Sequence, residues 1–229
     1  LNGVTAVIQS TSILTSPNKD LEGLAITAYN AIKDQIVSLE IPPGTLMSEN
    51  SLGASLGLSR TPIREALRRL EREYLVAILP RRGIVVTEID LKSQLQLIEF
   101  RRGVEIRLIR RGTDRATQDQ RAKFAQYADQ MEACAEAGDL TQYIALDSEF
   151  DREIDLAASN RFLTDAMQPV HALVRRFWHL QLGKPGLIVA LKQHIAVVRA
   201  AAEGDADMAC KALTELYDLS EKYLFDQLS

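Results

Sequence analysis

The chain has 229 residues, 46% of them hydrophobic, and a net charge of −4. That is enough apolar material for one or two packed domains. No apolar run approaches the length of a membrane span, and the Ser/Thr-rich residues 1–20 lack the basic start of a signal peptide. The expectation is a cytoplasmic protein with no membrane partner and a disordered tail over 1–20.

In chain order, apolar residues at 28, 32, 36 and 39 predict a first helix over 28–39, ended by Pro42, Pro43 and Gly44. Ser48 is placed to cap a short second helix through Leu52 and Leu56, with Gly57 ending it in the left-handed conformation. Leu58 and Ser59 lead into a third helix. There Thr61 reads as the N-cap and Pro62 as the first helical residue, where a missing N–H costs nothing. Ile63, Ala66, Leu67 and Leu70 form one buried stripe, and Arg64, Arg68, Arg69 and Arg72 lie opposite. An arginine-rich helix alone is more simply a solvated surface. The short turn before it makes the pair a helix-turn-helix, which reverses that preference. Val76–Leu79 and 84–87 are β-prone, and Pro80, Arg81, Arg82 and Gly83 between them predict a hairpin with a basic tip. Three helices and a two-stranded wing make a winged helix-turn-helix.

The acidic average hides a local excess of the opposite sign. Between positions 60 and 82 the chain has seven arginines against Glu65, Glu71 and Glu73. This asymmetry points to a nucleic-acid-reading module joined to one that does not read nucleic acid. After Thr87 strand signals stop. Helices are predicted at 91–111, 117–137, 140–158, 161–182, 187–203 and 205–227, with breaks at Gly112, Gly138 with Asp139, Ser159 with Asn160, 183–186, and Gly204 with Asp205. The fold class is therefore mainly α: a winged helix-turn-helix over 21–88, then an all-α six-helix bundle over 89–229. Cys134 and Cys210 lie in helical patterns and read as reduced core thiols.

The pattern Tyr29, Ile36, Pro43-Gly44, Leu46, Glu49, Leu52, Leu56-Gly57, Ser59 through Leu67, Leu70-Glu71, Leu75-Val76, Pro80 and Gly83 resembles the DNA-binding domain of GntR-family bacterial transcription regulators. Two positions depart from it: Gly53 stands where Ala is usual, and Tyr74 where Gly is usual. The second half resembles, more weakly, the FCD ligand-sensing domain of the FadR-like subfamily. Its markers are Glu99-Phe100-Arg101 with Glu105, Gly138-Asp139, Asp147 with Phe150, Asn160, and His194 before Gly204-Asp205. The resemblance implies a homodimer on double-stranded operator DNA, read as a repressor controlled by a small organic acid. It places Asn50, Ser59, Arg60, Thr61, Arg64, Arg68, Arg81, Arg82 and Gly83 at the DNA.

The same resemblance implies a bundle metal held by one Asp and three His. Asp147 matches the Asp, Asp151 falls on the first His, His194 matches the next, and Leu216 falls on the last. A divalent ion on Asp147, Asp151 and His194 stays open, but Leu216 offers no lone pair and zinc or nickel lose their nitrogen-rich set. Without a cation, one of two close carboxylates would hold a proton or pair with arginine. The expected effector pocket is Arg101, Asp147, Asp151 and His194, with Arg175 or Arg176 as further partners. Solvent exposure is the simpler reading of Arg175 and Arg176, a solvated pair with Glu105 that of Arg101, and an ordinary core-edge or surface role that of His171 and His179. Trp178 reads as core or pocket wall. An enzyme is the alternative class, yet no nucleophile elbow, phosphate loop, Cys-His pair or His-Glu-x-x-His is present. An architectural DNA-binding protein is the other alternative, and a bundle larger than dimerisation needs argues against it.

Overall fold

The computed structural model of the chain describes residues 17–182 and 187–228. Helix α1 spans Pro17–Val37. It starts earlier than the periodicity suggests and takes in the end of the expected tail; residues 1–16 lie outside the described residues. Leu39, at φ 63°, turns the chain out of the helix. Strand β1 (Leu46–Met47) follows, then α2 (Glu49–Leu56) and α3 (Arg60–Arg72). Ser48 caps α2 as expected, in a reciprocal capping box with Ser51, and Gly57 closes it at φ 66°. The expected cap of α3 is corrected: Ser59, not Thr61, is the N-cap, with extended backbone at φ −72° and ψ 167°. Pro62 is thus the third helical residue, where its missing N–H still falls among the first-turn donors that have no partner inside the helix.

Strands β2 (Val76–Leu79) and β3 (Gly83–Val86) form the expected hairpin. The sheet is three-stranded, in the order β1-β3-β2, not two-stranded. Leu46 pairs Val85 and Met47 pairs Ile84, which ties the approach to the second helix onto the wing. The two departures noted in the sequence have local causes. A Cβ on Gly53 would lie 2.8 Å from the Leu58 carbonyl oxygen, so Gly allows the tight helix-helix turn. Tyr74 holds φ 60°, the conformation that glycine adopts without strain.

The bundle consists of α4 (Leu91–Arg115), α5 (Gln118–Ala137), α6 (Leu140–Ala158), α7 (Arg161–Leu180), α8 (Leu187–Glu203) and α9 (Ala206–Leu228). The predicted break at Gly112 is wrong: α4 runs through it. Gly112 is buried, and a Cβ there would meet the Ile154 side chain at 2.6 Å, so this glycine serves the close approach of α4 to α6. The predicted break at 183–186 lies outside the described residues. Ser159 does end α6, at φ 47°. Cys134 and Cys210 are both free. No helix among the described residues is long and apolar enough to cross a membrane.

One apolar core fills the winged module, around Ile32, Ile63, Leu67, Leu70 and Leu75. Another fills the bundle, around Phe124, Phe150, Val198 and Tyr217. Helix α7 belongs to both modules. Its Ala172 and Leu173 pack into the winged core, while its opposite face looks into the bundle.

Candidate functional site

On the winged module, Asn50, Ser59, Arg60, Thr61, Arg64, Arg68, Arg81 and Arg82 are all exposed, and Gly83 is half-buried. The Ser59 side chain makes no capping bond, which leaves its hydroxyl available at the helix N-terminus. Arg64 is not free. Its Nε donates to Glu49 Oε1 at 2.9 Å and its Nη2 to Glu49 Oε2 at 2.8 Å, a two-pronged pair between α3 and α2. The hydrogen bonds from Arg64 hold the Glu49 carboxyl below its usual range. Arg68 pairs Glu65 at 3.1 Å within the helix. Arg69 is turned away from this face. Its guanidinium lies 3.7 Å from the Tyr29 ring centroid and its Nε reaches Glu73, which also accepts from Tyr29 and Lys33. This cluster locks α1 to α3. At the wing tip, Arg82 N–H closes a turn onto the Leu79 carbonyl, with Arg81 at φ 63°. A Cβ on Gly83 would lie 2.8 Å from the Met47 carbonyl oxygen, so Gly lets β3 approach β1 this closely.

Inside the bundle, Arg101, Asp147, Asp151 and His194 line one pocket together with Glu105, Tyr143, His171, Arg175, Trp178 and Leu216. Its free volume is about 50 Å³, room for a few water molecules. Three expectations need correction. Arg101 does pair Glu105 at i,i+4, but the pair is buried: the side chains are 12% and 7% exposed. Arg175 faces the pocket, with Nε donating to Asp147 Oδ2 at 3.0 Å and Nη2 donating to Asp151 Oδ2. Arg176 faces the other way, 1% exposed, with Nη1 donating to Thr87 Oγ1 at 2.9 Å and Nη2 to the Thr87 carbonyl. Neither arginine is at the surface.

His171 is the residue that sequence reasoning missed. It is buried, its Nδ1 is 3.1 Å from Asp151 Oδ2, and its Nε2 has no hydrogen-bond partner. The available signal was its spacing of four from Arg175, which puts both side chains on one face of α7. His194 Nδ1 is 3.4 Å from Asp147 Oδ1 and 3.4 Å from the Tyr143 hydroxyl. His179 is half-buried, as a core-edge residue should be.

Charge in the pocket is closely compensated. Burial would raise Glu105, but Arg101, His171 and Tyr217 outweigh it and hold the carboxyl at about 2. Burial and the neighbouring Asp147 charge push Asp151 up to about 7, against the pull of Arg175. Asp147 stays below its usual range, because His194 and Arg175 outweigh the burial that would raise it. Burial, with both pocket arginines nearby, keeps His171 neutral, its pKa lowered to about 4. These directions follow from burial acting on one arrangement, in which three carboxyl groups face two guanidiniums.

The donor set does not suit the metal that the family resemblance implies. Asp151 supplies oxygen where an imidazole is expected, and Leu216 stands buried in the pocket wall where the last ligand would be. The two carboxylates are already bridged by Arg175. Glu105, Asp151 and His171 bring ligand atoms within 4.8 Å of one another, the one such cluster among the described residues. Its carboxylates are also engaged, Glu105 by Arg101 and Tyr217, and Asp151 by Arg175 and His171.

Comparison with known proteins places these two modules. Residues 24–86 match the gntR family of bacterial regulatory proteins, and residues 96–219 match the FCD domain. The HTH-type transcriptional repressor RspR of Escherichia coli (strain K12) is 27% identical over 197 residues, covering 84% of this chain and 86% of that protein. A probable D-xylose utilization operon transcriptional repressor of Paenarthrobacter nicotinovorans is 27% identical over 183 residues, 79% of each chain. Among solved structures, E. coli McbR/YncC superposes with a TM-score of 0.76 at 20% identity over 90% of this chain and 99% of that one. A putative GntR regulator from Rhodococcus sp. RHA1 gives 0.71 at 22% identity, over 89% and 98%. At such identities the superpositions bear on the fold alone, which is the same winged module and helical bundle. The family's proteins are transcription regulators and not enzymes, and with both domain matches in order along its length, this chain belongs to the GntR family as a helix-turn-helix regulator with an FCD domain.

Proposed function

We propose that the chain is a repressor that binds a pseudo-palindromic operator as a homodimer and is controlled by a small organic acid held in the bundle pocket. Arg60, Thr61 and Arg64 serve at base edges, with Asn50 and Ser59 beside them. Arg68, Arg81 and Arg82 serve at the phosphates, with Gly83 giving the wing its shape. A single winged module spans few base pairs, so two-fold pairing is what supplies adequate contact. The pocket residues are Arg101, Asp147, Asp151 and His194, joined by His171 and Arg175.

The observation that carries this reading is the placement of α7. One face of the helix holds Arg175 in the pocket, and the next residue, Arg176, is bonded to Thr87 at the end of the wing. A guest carboxylate that draws Arg175 away from Asp147 or Asp151 breaks contacts between α6 and α7, the helix that also anchors the DNA-reading module. With room for only a few waters, an acid of more than a few heavy atoms needs the pocket to rearrange, which is how binding energy becomes a shift between two states. His171 Nε2 is a further polar atom that such a guest could engage.

The test has two arms. Sedimentation at micromolar concentration, with and without operator DNA, should give a dimer; a strict monomer in both would refute the homodimer. Small carboxylic acids are then screened for a rise in melting temperature, and hits are tested for a change in operator affinity. An acid that stabilises wild type, not Arg175→Met, and lowers operator affinity supports the reading. If every stabilising acid acts equally on Asp147→Ala and His194→Ala, the pocket assignment is wrong.

A further inference from the structure

We infer that the guanidinium of Arg175 is the resident cation of the bundle in this chain: it holds Asp147 and Asp151 together in place of a metal ion, and the pocket binds no metal of its own. The metal question stands whether or not the pocket proves to be the sensory site proposed above.

Asp147 and Asp151 are four residues apart on α6, so both carboxylates leave the same face of the helix. Arg175 reaches them from α7, with Nε at 3.0 Å from Asp147 Oδ2 and Nη2 on Asp151 Oδ2. Its side chain is 16% exposed. A planar fork with two N–H groups aimed at two carboxylates does what a bridging cation does, with directed hydrogen bonds added.

The rest of the donor set agrees. A nitrogen-rich ion would want imidazoles at positions 151 and 216, and this chain offers Asp151 and Leu216. His194 Nδ1 is the one matching nitrogen, and Asp147 and the Tyr143 hydroxyl already flank it. Charge gives the strongest argument. Three carboxyl groups, Glu105, Asp147 and Asp151, share the pocket with two guanidiniums, Arg101 and Arg175. A divalent ion would sit beside two buried guanidiniums with its carboxylates already shared, and like charges at such range in a poorly solvated site repel strongly. Asp151, Leu216 and the inward turn of Arg175 thus fit together: a guanidinium holds the carboxylates in a pocket that lacks the imidazoles an ion would want.

The claim predicts a gain of function. Protein is purified without chelator, its metal content is measured, and Zn²⁺ and Mn²⁺ are titrated calorimetrically into wild type, Arg175→Met and Arg175→Lys. Wild type should carry no stoichiometric metal and bind both ions weakly. Arg175→Met removes the competing charge from the paired carboxylates and should bind at least about tenfold more tightly. Arg175→Lys keeps a cation and should stay weak. Far-ultraviolet dichroism checks folding, and Arg175→Gln replaces Arg175→Met if the latter does not fold. Stoichiometric zinc in wild type overturns the inference. So does a folded Arg175→Met or Arg175→Gln that binds neither ion more tightly than wild type.

Discussion

Arg175 and Arg176 are neighbours in sequence and point into different modules. Arg175 bridges Asp147 and Asp151 inside the bundle, and Arg176 donates both of its terminal nitrogens to Thr87 at the end of the wing. No carboxylate comes within ion-pair distance of Arg176 among the described residues, and burial, against the pull of the Glu88 charge, lowers its pKa to about 10. Its Nε is buried without a hydrogen bond. A charge kept in such a place is costly, so the contact with Thr87 has to be held firmly by packing from both modules.

Replacing Arg176 should therefore loosen the link without removing either binding surface. Arg176→Met is expected to leave operator binding within about threefold of wild type, while an acid bound in the pocket no longer changes it. Losing hydrogen bonds to the Thr87 carbonyl and hydroxyl should cost about 1–3 kcal/mol, offset in part by relief of the buried charge. Operator titrations with and without a stabilising acid, on Arg176→Met and on Thr87→Val, decide the matter. An undiminished acid response in both variants would rule out this route.

At the DNA face, the Arg64–Glu49 pair sets the next expectation. Arg64→Ala should relax preference at one base pair per half-site by about tenfold, while Arg82→Ala should weaken all sequences alike and flatten the salt dependence. Glu49→Gln should raise affinity for random DNA, because Arg64 loses its charged partner, and so narrow the ratio of operator to random binding. Anisotropy titrations at several salt concentrations measure all three. Equal operator preference in wild type and Arg64→Ala would remove Arg64 from the base edges.

Gly112 shows how local signals and packing can disagree. As a glycine in a helical pattern it reads as a stop, yet α4 passes through it against Ile154. Gly112→Ala should improve helix propensity by about 1 kcal/mol and lose more than that to overpacking, a net destabilisation of about 1–2 kcal/mol. Gly112→Ala with Ile154→Val should recover part of the loss. Chemical denaturation of the single and double variants checks this, and a Gly112→Ala variant more stable than wild type would contradict the packing account.

The features legible in the sequence are those that repeat locally. Ile63, Ala66, Leu67 and Leu70 announce α3 because helical period and burial coincide, and the chain order of the bundle helices follows from similar stripes. Ser48 and Gly57 mark their helix ends by side-chain chemistry alone. Features that depend on distant partners are hidden. Strand β1 has two residues and exists only through pairing with Ile84 and Val85. Arg176 is bonded to a residue 89 positions away, so nothing near it in sequence distinguishes it from a surface arginine. His171 lies off the family's ligand pattern, and only the fold brings its ring to Asp151.

Two carboxylates, the half-buried Asp155 and the buried Glu105, lie on opposite sides of their usual pKa and make the pH dependence testable. Asp155 is pushed up to about 6 by burial and by the Asp151 and Glu105 charges, although His171 and Thr164 oppose this, and its Oδ1 has no hydrogen-bond partner. The folded state therefore prefers the protonated acid. The stability this confers is full below the unfolded value near 3.8 and is lost as pH rises through about 6. Asp155→Asn cannot ionise. It should match wild type near pH 3.5 and exceed it at pH 7.5 by about 1 kcal/mol, a figure discounted for partial solvation. Glu105 behaves oppositely, because its folded value of about 2 lies below the unfolded one. Its contribution is present above about pH 4.5 and lost as pH falls toward 2, so Glu105→Gln should be destabilised at pH 7 and converge on wild type in acid. Urea melts across this range measure both differences. A wild-type advantage over Asp155→Asn that grows with pH would refute the assignment of Asp155 as an acid held protonated by burial.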